Sequence, residues 1–262
     1  MTRRFSRSGG ALSEIVGALI LTLIVVVSAS SFAAFIAQQQ KAVQAQRDYQ
    51  LRVSQESLRV TSIAHTMDLV DLDKWATLDF TLVSLHQDES VVASIEINNS
   101  ALKRWNARHM DGTTTPETPS SHMKVLPREQ LIIKIDLAND FYTPTTISNF
   151  DPVKISVITQ YSNNFSRTFI PPIAIGFVQT QAYWNPGPGA FSQYYILDWT
   201  SSISPTGGII IKWAWVVTAV APAAYSGAKA VAAMVSGTAY TVKLKVTDEY
   251  SMTGSYSFSY TA

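Results

Sequence analysis

The chain has 262 residues, 20 Lys and Arg against 19 Asp and Glu, and a formal net charge of +1. That balance argues against a strongly basic nucleic-acid binder, and a hydrophobic content of 47% argues against global disorder. No cysteine occurs, which removes disulfides, zinc–thiolate sites, iron–sulfur clusters and thiol nucleophiles together, and the four histidines (His65, His86, His109, His122) share no metal-ligand spacing.

The first ten residues carry Arg3, Arg4 and Arg7 and no acid. An apolar run follows from Ala11 to Ala37, and no charge falls between Glu14 and Lys41. As a helix those 26 residues would run about 39 Å, longer than the ~30 Å hydrocarbon core of a bilayer. The basic flank predicts a cytoplasmic N-terminus, with the rest of the chain facing outward. Three readings fit such a segment. A secretory signal has a shorter apolar run with a small-residue cut after it, a site that Ser28-Ala29-Ser30 imitates. A signal anchor fits the length. Neither explains the acid at the mouth of the run, unless Glu14 sits at headgroup depth and favours the helix N-terminus.

The stretch Arg7-Ser8-Gly9-Gly10-Ala11-Leu12-Ser13-Glu14-Ile15-Val16-Gly17-Ala18-Leu19-Ile20 resembles the class III signal of archaeal type IV pilins. The resemblance implies a leader (residues 1–11) that a prepilin peptidase removes before the apolar helix, which is kept and becomes the filament core. It places the cut at Ala11–Leu12, with Gly10–Ala11 as the alternative. Arg7 departs from the family pattern, being separated from the cut by Ser8, Gly9 and Gly10. In pilins of the bacterial kind an early Glu pairs with a neighbour's new N-terminal amine, and the resemblance implies that role for Glu14, although many archaeal relatives lack the acid. The implied partners are copies of the chain, the prepilin peptidase, an assembly ATPase with its membrane platform, and the membrane before assembly. An extracted apolar helix buries its surface only against other helices, and a repeated non-closing contact gives a filament. Gly17 and Ala18 are small enough for close helix approach, although small residues are also common in simple membrane anchors.

Beyond Ala37 the sequence is polar and free of Gly and Pro through Arg47. Val43, Leu51 and Leu58 recur at eight and seven residues, and Val53 and Val60 at seven with Ile63 three further on, which predicts one helix to about residue 60, within an N-terminal segment 12–66. The tripled acid Asp68, Asp71, Asp73 stands where that helix hands over to strands. It lacks the Gly and the ligand spacing of a calcium loop and reads as solvated charge.

From Lys74 the period becomes two. Thr77–Leu82, Val91–Ile97, Gln130–Asp136 and Val153–Thr159 are predicted half-buried antiparallel strands, with Asp111–Ser120 a surface loop. Leu126-Pro127-Arg128 resembles the Leu-Pro-Gly strand opening of archaeal pilins and archaellins, with Arg128 in place of Gly, and Val153–Thr159 with Asn163–Ser166 resembles their last hairpin. A β-sandwich is predicted over 67–175.

Pro171-Pro172 and Asn185–Gly189 punctuate the passage to a second set of strands: Tyr194–Thr200, Gly208–Thr218, Tyr240–Thr247 and Ser255–Tyr260. Leu197–Trp215 and Tyr240-Thr241-Val242-Lys243-Leu244-Lys245-Val246-Thr247-Asp248 resemble a PKD-type immunoglobulin-like module, which the resemblance extends over 176–262 with Trp215 as its core tryptophan. That likeness implies a spacer, or a contact to a surface polysaccharide or cell-surface protein. The fold class expected is α+β: a long N-terminal hydrophobic helix followed by antiparallel, Ig-like β-sandwich domains.

No hydrolase, zincin or phosphate-loop motif occurs, so no enzyme, catalytic residue, metal or cofactor is expected. Tyr183, Trp184, Tyr194 and Tyr195 are candidates for a sugar-stacking face, or for core and interface positions. Asn98-Asn99-Ser100 and Asn164-Phe165-Ser166 are glycosylation sequons. The expected function is an extracellular adhesion-filament subunit. A membrane-anchored monomeric binding protein and an archaellin-type motility subunit are the alternatives.

Overall fold

A computed structural model describes residues 8–71, 73–187, 189–218 and 223–262. They divide into an N-terminal helical unit ending at Gln55 and a β unit, Glu56–Ala262. Arg3, Arg4 and Arg7 of the expected leader lie outside the described residues, as do Leu72 and Pro188.

The helix α1 spans Ser8–Gln55, 48 residues or about 72 Å. No Gly or Pro interrupts it after Gly17. Its apolar stretch is hydrophobic in every direction around the axis: Leu19, Ile20, Leu21, Leu23, Ile24, Val25, Val26 and Val27 follow almost without a break, and all are more than half exposed. The hydroxyls of Thr22, Ser30 and Ser31 donate to the carbonyls of Ala18, Val26 and Val27 at 2.7–2.8 Å. These polar groups are satisfied inside the helix, as hydrocarbon surroundings require.

The helix stops at Gln55, short of the expected limit near residue 60 and of the 12–66 segment. Leu58–Met67 is instead the first strand, β1. Leu58, Val60 and Ile63 are all buried, and the three-residue step from Val60 to Ile63 looks helical. A β-bulge between Val60 and Ser62 adds one residue and returns Ile63 to the buried face, so an irregular strand imitates a helical period. Glu56 anchors this start: its Oε2 accepts from Thr159 Oγ1 at 2.6 Å and Asn163 Nδ2 at 2.9 Å.

The chain then forms β2 (Trp75–Ser84), β3 (Ser90–Ile97), β4 (Ser100–Ala101), β5 (Trp105–Arg108), β6 (Thr114–Glu117), β7 (Met123–Val125), β8 (Gln130–Asp136), β9 (Val153–Thr159) and β10 (Asn164–Phe169). One sheet runs β1-β2-β8-β5-β6, the other β10-β9-β3-β4 with β7 beside β3, and all pairs are antiparallel. Alternate residues Leu78, Phe80, Leu82 and Ile95, Ile97 and Leu131, Ile133, Ile135 are buried in the core, as expected of half-buried strands. The expected loop 111–120 contains β6, an edge strand paired to β5; Pro116 is tolerated there because an edge needs no further N–H donor. The acids Asp68, Asp71 and Asp73 lie in the β1–β2 turn rather than at a helix end, where Asp68 Oδ1 accepts from the Val70 N–H and Asp71 pairs with Lys74 at 2.8 Å.

A second core follows Ala174. β11 (Phe177–Asn185), β12 (Ala190–Asp198) and β15 (Lys229–Ala232) form one antiparallel sheet; β14 (Ala223–Ser226), β13 (Ile210–Thr218), β16 (Ala239–Asp248) and β17 (Thr253–Thr261) form the other. Trp199 and Trp215 are fully buried and pack together, with Val242, Leu244 and Val246 beneath them. Lys243 and Lys245, one residue out of phase, are exposed.

The two cores share a junction. Met252, in the β16–β17 turn, is buried in the first core. Asp248 is fully buried and holds that turn: its Oδ1 accepts from the N–H groups of Tyr250 and Met252, and its Oδ2 accepts from the Ser204 hydroxyl. Burial pushes its carboxyl above the ordinary value despite those bonds. Gly254 follows because a Cβ there would meet the Pro172 carbonyl.

Candidate functional site

Glu14, Gly17 and Ala18 share one stripe of α1, since residues three and four apart stack on the same face. Nothing lies within 4 Å of a Cβ built on Gly17, so the place its missing side chain leaves is open. Ala18 floors a shallow apolar hollow flanked by Ile15, Leu19, Thr22, Leu23 and Val26. The backbone of Ala11 and Leu12 belongs to α1; their side chains lie outside the described residues. From Ser13 onward the helix is long and apolar enough to cross a membrane, and none of its most apolar stretch is buried. Chemically, this surface can enter lipid or be covered by other helices.

No family model matches the chain, and a search of curated proteins finds no match. The long apolar helix followed by antiparallel sheets is compatible with a pilin-like architecture.

The four aromatic candidates do not form one face. Tyr183 and Tyr194 lie on the outward side of the β11–β12 hairpin, ring centroids 5.6 Å apart. Tyr195, one residue on, points the other way; it is 2% exposed and its ring meets Tyr260 edge-on at 6.1 Å. Trp184 shares the parity of Tyr195, near the hairpin tip, and is 55% exposed. The period of two that makes a strand separates neighbours in sequence onto opposite faces.

The two sequons also differ. Asn98 and Asn99 both adopt left-handed backbone, at φ 50° and 64°, and form the two-residue turn that closes β3 onto β4. The Asn98 side chain is engaged: Nδ2 donates to the Pro152 carbonyl at 3.3 Å and Oδ1 accepts from the Lys154 N–H at 2.7 Å. Asn164 is exposed at the start of β10, the edge strand of its sheet.

Arg128 occupies the Gly position of the Leu-Pro-Gly pattern with φ 58°, and the Glu129 N–H donates to the Leu126 carbonyl at 3.1 Å. This is the geometry of a turn with Pro at its second place and a left-handed third residue. Glu129 braces it: Oε2 accepts from the Leu126 N–H and Oε1 meets His109 Nδ1, both at 2.7 Å. His109 Nε2 stands 3.4 Å from the Thr115 hydroxyl. This acid–imidazole–hydroxyl chain ties the β5–β6 hairpin to the turn before β8.

Sequence reasoning did not single out Arg167. Its guanidinium donates to the carbonyls of Val60 and Thr61 at 3.1 and 2.5 Å, satisfying groups that the β1 bulge frees. It also lies over Phe169, 4.6 Å from the ring centroid. A lone Arg on an alternating strand carries no local sign of such a role. Among the described residues no group of three His, Asp or Glu is placed to hold a metal ion.

Proposed function

We propose that the chain is a structural subunit of an extracellular, type IV pilus-like adhesion filament, polymerising through α1 after a prepilin peptidase removes a leader near Ala11. The observation that carries this reading is α1 itself: from Ile15 to Phe35 its large apolar side chains are exposed on every side, with the hydroxyls of Thr22, Ser30 and Ser31 bonded internally. A single bilayer crossing needs about 20 residues, whereas α1 runs for 48. Copies packed side by side cover the apolar length, and Gly17 and Ala18 permit close approach. The β unit is the exposed body of the subunit, with the PKD-like second module as its contact to a surface polysaccharide or cell-surface protein.

A second reading is a monomeric anchored surface protein. It is favoured by the hydropathy of the same helix, which also fits a membrane span.

The test is the mature N-terminus together with electron microscopy of shear-released surface appendages. The filament reading expects a chain that begins at Leu12 or Ala11 and is found by mass in the filaments. An intact Met1, or a cut after Ala37, ends it.

A further inference from the structure

The free edge of β17 is built differently from most of the other strand edges. Edge strands invite pairing with another chain, and proteins block them with charge, proline, bulges or brevity. Such blocks stand elsewhere in the β unit. β6 carries Pro116 and Glu117, β1 has its bulge with Arg167 on the freed carbonyls, β10 bears Arg167 itself, and β15 bears Lys229. β4 has two residues and β14 four. β17 has none of these. It is nine residues long and uncharged, and it runs along β16 without a register shift. Its other edge pairs with no strand among the described residues.

Its sequence is also its own mirror. Tyr256-Ser257-Phe258-Ser259-Tyr260 reads alike in both directions from Phe258, and the flanking Ser255 and Thr261 are both hydroxyl residues. Tyr256, Phe258 and Tyr260 share one face, while Ser255, Ser257 and Ser259 share the other and are exposed. The aromatic face is only partly covered: Tyr256 is 45% exposed and packs on Phe258 at 5.5 Å. The start of the strand is taken, since the Thr253 N–H donates to the Asn149 carbonyl and Pro172 lies against Gly254. The stretch left free is the palindromic one. β11 is the other long uncharged edge, but Phe177–Asn185 has no such symmetry.

We propose that β17 pairs edge to edge with β17 of a second copy of this chain. The two strands run antiparallel about a two-fold axis at Phe258, joining two four-stranded sheets into one of eight. In this register Phe258 faces its own copy, Tyr256 faces Tyr260, Ser257 faces Ser259 and Ser255 faces Thr261. Each ring meets a ring and each hydroxyl a hydroxyl, and cross-strand pairs of matched type are the unit of sheet stabilisation. A two-fold contact uses the same patch on both partners and closes after two copies. It therefore differs from the repeating contact of a filament: it joins two filaments, or two copies on facing surfaces. The pairing does not depend on polymerisation of α1.

The full chain is tested in a detergent excess that leaves one α1 per micelle, so that association reports on the β unit. Sedimentation should show a dimer that grows with concentration. Substituting Ser257→Glu with Ser259→Glu sets like charges across the axis while leaving the fold intact by circular dichroism; dimerisation should weaken at least about tenfold. A Ser257→Lys, Ser259→Lys chain should be equally weak alone and restore dimers when mixed with the Glu chain. Because the protein has no native thiol, Ser257→Cys mixed with Ser259→Cys should give a disulfide-linked pair on oxidation. A wild type that stays monomeric throughout, or a Glu chain that dimerises as well as wild type, overturns the proposal. Dispersed chains whose β17 tyrosines respond to a neutral polysaccharide would assign the strip to glycan instead and overturn it equally. None of these outcomes bears on the N-terminus of the mature chain, so the filament reading stands or falls separately.

Discussion

Tyr250 of the second module meets Phe169 of the first edge-on, ring centroids 5.2 Å apart at 71°. Arg167 stands between the modules there, with Nη2 3.4 Å from the Tyr250 hydroxyl. Met252, two residues along, is fully buried in the first core. The β16–β17 turn thus completes a core that is otherwise built from residues 58–169.

The junction predicts that the two modules unfold together. Met252→Ala removes a buried side chain and should cost about 2–5 kcal/mol. Urea unfolding of the full chain in micelles, followed by tryptophan fluorescence and by far-UV circular dichroism, should show one coincident transition in wild type. The variant should lower its midpoint, and two separate transitions in wild type would refute the coupling.

Arg128 sits in a backbone region that L residues other than Asn and Asp enter at a cost of about 1–3 kcal/mol. Arg128→Gly should raise stability by about 1 kcal/mol in the same unfolding measurement. Glu129→Ala should lower it by about 1–2 kcal/mol, because the Leu126 N–H and His109 lose their acceptor.

His65 stacks on Trp75, ring centroids 4.0 Å apart. Burial lowers its imidazole from 6.5 to about 4, and a hydrogen bond with Asn149 offsets this only in part. The unfolded chain takes up this proton near pH 6.5 and the folded one only near 4, so its contribution to stability is complete above 6.5 and is lost as pH falls from 6.5 towards 4. His65→Phe keeps the stack without the proton. Its urea midpoint should fall less steeply than that of wild type across this window; equal slopes would assign the acid limb to other groups.

Glycan occupancy should distinguish the two sequons. Asn164 is open to solvent, while the Asn98 amide is committed to Pro152 and Lys154. Peptide mass mapping of protein from its native surface should find sugar at Asn164 and a bare Asn98. Asn98→Ala should cost about 1 kcal/mol or more through loss of the turn and its two bonds.

In the filament reading Glu14 acts in assembly rather than in insertion. Glu14→Ala should leave the amount of membrane-inserted precursor unchanged and reduce the yield of sheared filaments, both read by immunoblot. Unchanged filament yield would remove Glu14 from assembly.

Periodicity alone sufficed for the elements whose signal is local. The apolar run after Glu14 specifies a helix that cannot be covered within its own turns, and the alternation at Thr77–Leu82 or Val153–Thr159 specifies strands whose neighbours differ in burial. What tertiary structure decided depends on partners distant in sequence. The bulge that turns Leu58, Val60 and Ile63 into one face of β1 is held by Arg167, more than a hundred residues away. Which of Tyr194 and Tyr195 is buried follows from which side of β12 the second sheet covers. A side chain's periodicity is written in the chain, but the face that loses water is chosen only when the sheets meet.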